Sequence, residues 1–176
     1  MPMTTVELSE RYNAGERNFA GIELRISKLE DGTRLRLCDL ISLSDIILSG
    51  VDLSNHSLSL MNLQGAQLVG CPLWRIRVRE TDLSGADLTG ANLTNAWLHR
   101  VNLRGAKLIG ANLTEAKLIE TDLTGADLSE SILGRVNLSN VKLDEECHRH
   151  VLCTKAWLWE TYLPNGTFIG NARYHD

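Results

Sequence analysis

Every fifth residue from Leu43 to Leu143 is Leu, with Val78 the one exception among 21 positions. Two residues before each stands a second series, apolar or small. It includes Ile46, Val51, Met61 and Cys71, eight Ala from Ala66 to Ala126, and His56 as its one strongly polar member. Between the two series sits a polar residue, most often Asp or Asn, as at Asp52, Asn62, Asp82, Asp87, Asn92, Asn102, Asn112, Asp122, Asp127 and Asn137. The unit is small or apolar, Asp/Asn, Leu, then two mostly polar or small residues.

No single helix or flat strand buries such a pattern. A helix advances about 100° per residue, so five residues leave successive Leu roughly 140° apart, spread around the cylinder. A strand has period two, and an odd repeat sends alternate Leu to opposite faces. A chain that bends by a constant angle every five residues brings both series to one axis. Its coils must stack, because only a neighbouring coil can take up the backbone N–H and C=O groups. Glycine sets the number of sides. At the last place of the unit Gly recurs at 65, 85, 105 and 125, and at 50, 70, 90 and 110, each spaced by 20. The other two classes hold residues such as Asn55, Arg75, Asn95 and Glu115, or Leu60, Glu80, Arg100 and Glu120. A hidden period of 20 means four sides per coil. A type II turn wants Gly where φ is positive, so the Gly-ending sides are read as type II corners and the others as a different turn.

The run TDLSGADLTGANLTNAWLHRVNLRGAKLIGANLTEAKL resembles the pentapeptide repeat family, whose consensus is A(D/N)LXX. The resemblance covers at least residues 41–143, and the opening YNAGERNFAGIEL and the ending TYLPNGTFIG are similar to the flanks of cyanobacterial members. It implies an all-β protein, a right-handed quadrilateral β-helix. It brings no catalytic residues.

Outside the regular run the sequence predicts residues 1–17 as an N-terminal capping helix and linker, 18–170 as the β-helix, and 171–176 as a tail. Thr4 with Glu7 fits a capping box and Gly15 a helix stop. Val6, Tyr12 and Ala14 are expected to cover the apolar end of the solenoid. Phe19, Leu24 and Leu29 repeat at five, out of phase with Leu43, so an irregular first coil is expected across 30–40 with a turn at Asp31-Gly32. The pattern fails again at 144–150, then returns at Val151/Cys153, Ala156/Leu158, Thr161/Leu163 and Gly166/Phe168, with a turn at Pro164-Asn165-Gly166. About seven coils at roughly 4.8 Å each give a rod about 34 Å tall.

Charge narrows the function. The net charge of −4 offers no general attraction to nucleic acid or anionic lipid, and no apolar run is long enough to span a membrane. Glu7 and Glu10 stand where a secretory signal needs a basic stretch and an apolar core, so a cytoplasmic, reduced protein is expected. Cys147, His148, His150 and Cys153 cluster, but the spacing matches no usual zinc motif, and a loop beside a packed Cys153 is the favoured reading. A Cys147–Cys153 disulfide stays a lesser alternative. His56 and Cys71 belong to the buried series and are read as core residues. The Asp and Asn follow the repeat, so no catalytic set, cofactor or metal site is expected.

Function must then lie on the outer faces. The side centred on Leu58, Val78, Leu98, Leu118 and Leu138 departs from the Asp/Asn/Ser/Thr monotony. Stacked by coil it offers Arg77 and Arg79, Trp97 and His99, then Lys117 and Ile119, with Arg100 at its corner and Trp74 with Arg75 at the neighbouring one. A sustained phase would add Trp157 and Trp159. Exposed Trp and Arg mark binding surfaces more often than inert ones. A monomeric, non-enzymatic scaffold that binds a protein partner through this side is the leading reading. The resemblance also admits a DNA-mimicking protector of DNA gyrase, but Arg77, Lys107, Lys117 and Lys142 break the acidic stripe that mimicry needs. An uncharacterised structural role is the third alternative.

Overall fold

The two apolar series turn inward together. From Leu43 to Leu138 each member of the Leu series is at most 4% exposed, and Leu143 is half-buried against the same core. From Ile46 to Val141 the second series is buried, except for half-buried His56, whose ring Nδ1 lies 3.0 Å from the Ser54 carbonyl. The computed structural model describes residues 2–25, 27–28, 34–35, 42–144, 156–171 and 173–174.

Parallel pairing between residues 20 apart defines four columns. One runs Asn62, Asp82, Asn102, Asp122, Lys142; the next Gln67, Asp87, Lys107, Asp127; the third Pro72, Asn92, Asn112, Ile132. The fourth carries Ser57 and then three strands, β5 (Arg77–Arg79), β6 (Trp97–His99) and β7 (Lys117–Ile119), in one parallel sheet. The backbone groups pair between coils, as where Asp87 N–H donates to the Ala66 carbonyl at 2.9 Å and Leu88 N–H to Lys107 at 2.7 Å. The chain is a four-sided β-helix.

The Asp/Asn preference has a local cause. All ten Asp and Asn named above accept, through Oδ1, the backbone N–H two residues on; Asp52 takes Ser54, Asn92 takes Thr94 and Asp127 takes Ser129. That N–H lies in the turn, where no stacked carbonyl reaches it. A short acceptor side chain satisfies it and favours the bend. The fourth column lacks Asp and Asn from Ser57 through Lys117, and at β5, β6 and β7 the backbone stays extended.

The corners differ less than expected. Positive φ occurs at Gly and non-Gly corners alike, with Asn55, Arg75, Asn95, Glu115 and Arg135 at 56–61°. Those corners close the same hydrogen-bonded turn as glycine corners, as where Ala96 N–H donates to Leu93 at 2.9 Å, against 3.0 Å for Ala91 to Leu88. The distinct corners are those after β5, β6 and β7, at Glu80, Arg100 and Glu120, which bend without closing such a turn.

The ladder opens between β7 and the coil that follows it. Leu58 and Leu60 N–H donate to Arg77 and Arg79, and Glu80 and Arg100 N–H to His99 and Ile119. Among the described residues no such bond joins β7 to Asn137–Ser139 one coil on. The adjoining sides of the same two coils stay bonded, through Glu115 N–H to Gly134 at 2.8 Å and Leu123 N–H to Lys142 at 2.8 Å. A cleft lined by Lys117, Ile119, Arg135, Asn137 and Asn140 occupies the gap.

At the N-terminus β1 (Met3–Thr4) pairs in parallel with β2 (Leu24–Arg25), and between them lies α1 (Thr5–Asn13) with the Thr4/Glu7 capping box. Leu8 and Tyr12 are its core contacts, and the Tyr12 hydroxyl donates to the Ser44 carbonyl at 3.0 Å; Val6 and Ala14 are exposed instead. Asn18 pairs with Ile47, 29 residues on and nine more than a regular coil. Part of that excess is a hairpin of β3 (Ser27–Lys28) and β4 (Arg34–Leu35). The expected turn at Asp31-Gly32 lies outside the described residues.

At the other end Ile132 pairs with Trp157 and Asn137 with Tyr162, 25 apart and five more than a regular coil. Cys147, His148, His150 and Cys153 lie outside the described residues, as does Cys38. Leu158 and Leu163 are buried as predicted, but Phe168 is 51% exposed and Ile169 takes the interior. The cause is a reversal. At Pro164-Asn165-Gly166 the chain turns back, so β9 (Thr161–Tyr162) pairs antiparallel with β10 (Phe168–Ile169). Likewise β8 (Trp157–Leu158) pairs antiparallel with β11 (Arg173–Tyr174).

Candidate protein-binding surface

β5, β6 and β7 place Val78, Leu98 and Leu118 inward and their flanking residues outward, as strand alternation requires. Arg77, Trp97 and Lys117 form one outer row; Arg79, His99 and Ile119 form the next. Arg77, Arg79, Arg100 and Lys117 are exposed, while Trp97 and His99 are half-buried. The Trp97 and His99 rings stack, 5.4 Å between centroids and 26° apart in plane. His99 Nδ1 is buried without a hydrogen-bond partner among the described residues.

Electrostatics divides the candidates. Arg79 pairs with Glu80 at 2.9 Å. Arg100 pairs with Glu120 at 2.8 Å and with Glu80 at 3.8 Å. The Arg100–Glu120 hydrogen bond holds the Glu120 carboxyl below its ordinary value and raises the Arg100 guanidinium. These two arginines belong to a corner ladder that neutralises itself. Arg77 and Lys117 make no ion pair among the described residues. They flank Trp97 above and below.

The extra five-residue unit moves the C-terminal aromatics. Trp157 falls in the column of Pro72, Asn92, Asn112 and Ile132, one side away from Trp97, and Tyr162 takes the place below Asn137. Trp157 and Trp159 therefore do not join the β5–β7 side. Trp159 lies over Gly134, where an added Cβ would collide with the indole. Gly134 stands away from the corner place of the unit, and that departure is the signal the sequence held for this contact. Arg135 confirms the register, pairing with Glu115 at 2.9 Å and Glu160 at 2.8 Å.

Arg75 completes the arrangement from the preceding corner, its guanidinium 5.6 Å from the Trp74 ring centre. Arg75 with Arg77, Asn95 with Trp97, and Glu115 with Lys117 make a grid two residues wide and three coils deep, and line one open groove. Nothing in this set resembles a nucleophile with its base.

Residues 66–105, 98–135 and 106–144 match the family model described as pentapeptide repeats (8 copies). The chain belongs to the pentapeptide repeat family. Members fold as right-handed quadrilateral β-helices, which agrees with the four columns described above. A pentapeptide repeat protein of the Arabidopsis thaliana thylakoid lumen is 23% identical, with 74% of this chain and 83% of that one covered at a TM-score of 0.55. HetL of Nostoc sp., involved in heterocyst differentiation regulation, is 23% identical over 94% of this chain and 99% of its own, at a TM-score of 0.27. QnrB1, a plasmid-mediated fluoroquinolone resistance protein, is 17% identical over 80% of this chain and 76% of its own, at 0.39. No curated protein matches in sequence. Among the described residues no helix is long and apolar enough to cross a membrane.

Proposed function

We propose that the chain is a non-enzymatic scaffold that binds a protein partner through the β5–β7 side. One observation carries the reading. Arg77 and Lys117 are exposed without an ion pair among the described residues, and Trp97 stands between them. On the other sides the lysines and Arg104 meet carboxylates, as where Lys107 meets Asp87 at 3.6 Å, and Lys142 meets Asp122 at 2.9 Å with Arg104 at 3.4 Å. Those same lysines interrupt the acidic columns that DNA mimicry by a dimer would use, so a monomeric rod in the cytoplasm is the reading we favour. We also take α1 as the cap of the first coil, on the burial of Leu8 and Tyr12, and about seven coils as the length of the rod.

The test pairs a thermal melt with a pull-down from native lysate for Trp97→Ala, with Asp87→Ala on a plain side as control. Surface changes usually alter stability by about 0.5 kcal/mol or less, whereas loss of an anchor weakens binding by roughly 1–4 kcal/mol. The expected result for Trp97→Ala is a fold that still melts cooperatively, destabilised by about 0.5–1.5 kcal/mol through the lost stack on His99, with partner recovery lost for this variant alone. Equal recovery from both variants would put the binding surface elsewhere.

A further inference from the structure

The chemistry of the partner is legible in the same side, so this inference rests on the reading just given. The groove of Arg75, Arg77, Asn95, Trp97, Glu115 and Lys117 holds three cations and one carboxylate. Glu115 is already taken by Arg135 at 2.9 Å. The groove therefore presents uncompensated positive charge on a chain whose net charge is −4. Arg77 and Lys117 are two coils apart, roughly 10 Å along the rod. An extended peptide rises about 3.3 Å per residue, so same-face acidic side chains two and four residues apart, about 6.6 and 13 Å, bracket that spacing within the reach of Arg and Lys side chains.

A second, independent observation lies directly below. The break in the ladder under β7 leaves the N–H groups of Leu118 and Glu120 without the carbonyls that Leu58, Leu60, Glu80 and Arg100 find. Unpaired backbone donors at a protein surface attract an acceptor, and a carboxylate or a peptide carbonyl serves. Lys117 lines both the groove and this cleft, and Arg135 and Asn137 stand across it.

We infer that the partner presents an acidic, extended segment that runs along Arg77, Trp97 and Lys117 and ends with an acceptor at the cleft beneath β7. Carboxylates meet Arg75, Arg77 and Lys117, and an apolar residue of the segment lies on Trp97. Nucleic acid fits less well, because its phosphates continue beyond these three cations along a chain of net charge −4.

The probe is a fluorescein-labelled twelve-residue peptide, three repeats of Glu-Gly-Asp-Leu, followed by anisotropy on the full chain. Its amide counterpart, three repeats of Gln-Gly-Asn-Leu, and a twelve-nucleotide oligothymidylate serve as comparisons. The acidic peptide is expected to bind at least tenfold more tightly than either. Arg77→Glu and Lys117→Glu are each expected to weaken it at least tenfold, with Arg104→Glu on a plain side leaving it unchanged. Arg77→Gln, with smaller loss and the same melting temperature as wild type, covers a folding defect in Arg77→Glu. Hydrogen exchange at the Leu118 and Glu120 amides is expected to slow when the peptide is added. Equal binding of the amide peptide, tighter binding of oligothymidylate, or unchanged exchange at both amides would overturn the inference. Loss of the lysate partner with Trp97→Ala but not with Arg77→Glu or Lys117→Glu would overturn the acidic segment and leave the surface standing. Loss with none of them would remove the surface itself.

Discussion

At the scale of single residues, size decides place. Leu98 is 2% exposed and Ala96 fully buried, one filling the space between coils and the other a narrow slot beside it. Leu98→Ala is expected to lower stability by about 2–5 kcal/mol, because the stacked coils above and below hold the cavity open. Ala96→Leu is expected to cost about 1–3 kcal/mol by overpacking. Chemical denaturation measures both, and two variants with wild-type midpoints would refute the interior assignment. Both positions were readable in the sequence, because five-residue spacing leaves one axis as the common destination of the two series. The purpose of Asp and Asn was not. Their period marked them as structural, but the N–H each one satisfies belongs to a turn whose geometry no spacing reveals. His99 was singled out as a surface residue, yet its ring lies half-buried against Trp97.

At the scale of the turn and the coil, backbone strain and ion pairs set smaller terms. Leu60 occupies a corner at φ 62° with its side chain 67% exposed, so it bears the left-handed penalty without packing in return. Leu60→Gly is expected to raise stability by about 0.5–1 kcal/mol, read as a higher denaturation midpoint; a lower midpoint would show that Leu60 has packing worth more than the strain. Asp122 links coils through Lys142 and Arg104 and accepts its local N–H from Thr124. Partial burial pushes its carboxyl up, but the hydrogen bonds from Thr124, Lys142 and Arg104 outweigh it and hold the group well below the usual carboxylate range. A depressed carboxylate gives its full stabilisation above the unfolded value, about 3.9, and loses it as pH falls through the folded value. Stability is therefore expected to decline below about pH 4, and Asp122→Asn to flatten that decline while weakening the protein at neutral pH. Parallel acid profiles for the two proteins would assign the acid loss to other groups. The Gly period of 20 made four sides legible. It did not separate the corners correctly, because Asn, Arg and Glu also accept positive φ where the stack enforces it.

At the scale of the whole rod, interruptions decide which surface residues meet. The five-residue excursion keeps the phase of the pentads, so the sequence predicted the buried places of Ala156, Leu158, Thr161 and Leu163. It shifts the side by one, which spacing alone does not disclose, and so Trp157 and Trp159 leave the β5–β7 side while Tyr162 enters its column. The charge pairing had the same character: Arg79 and Arg100 read like Arg77 in the chain, and only stacking shows that Glu80 and Glu120 neutralise them. What distinguishes the β5–β7 side among the described residues is that Arg77 and Lys117 lack an ion pair and flank the half-buried Trp97 indole. Site-specific photo-crosslinking tests that contrast most directly, with p-benzoylphenylalanine placed at Arg77, Asp87 or Asn102 in the intact protein and exposed in native lysate. The account predicts a discrete crosslinked species from position 77 alone; the same species from 87 or 102, or none from 77, would contradict it.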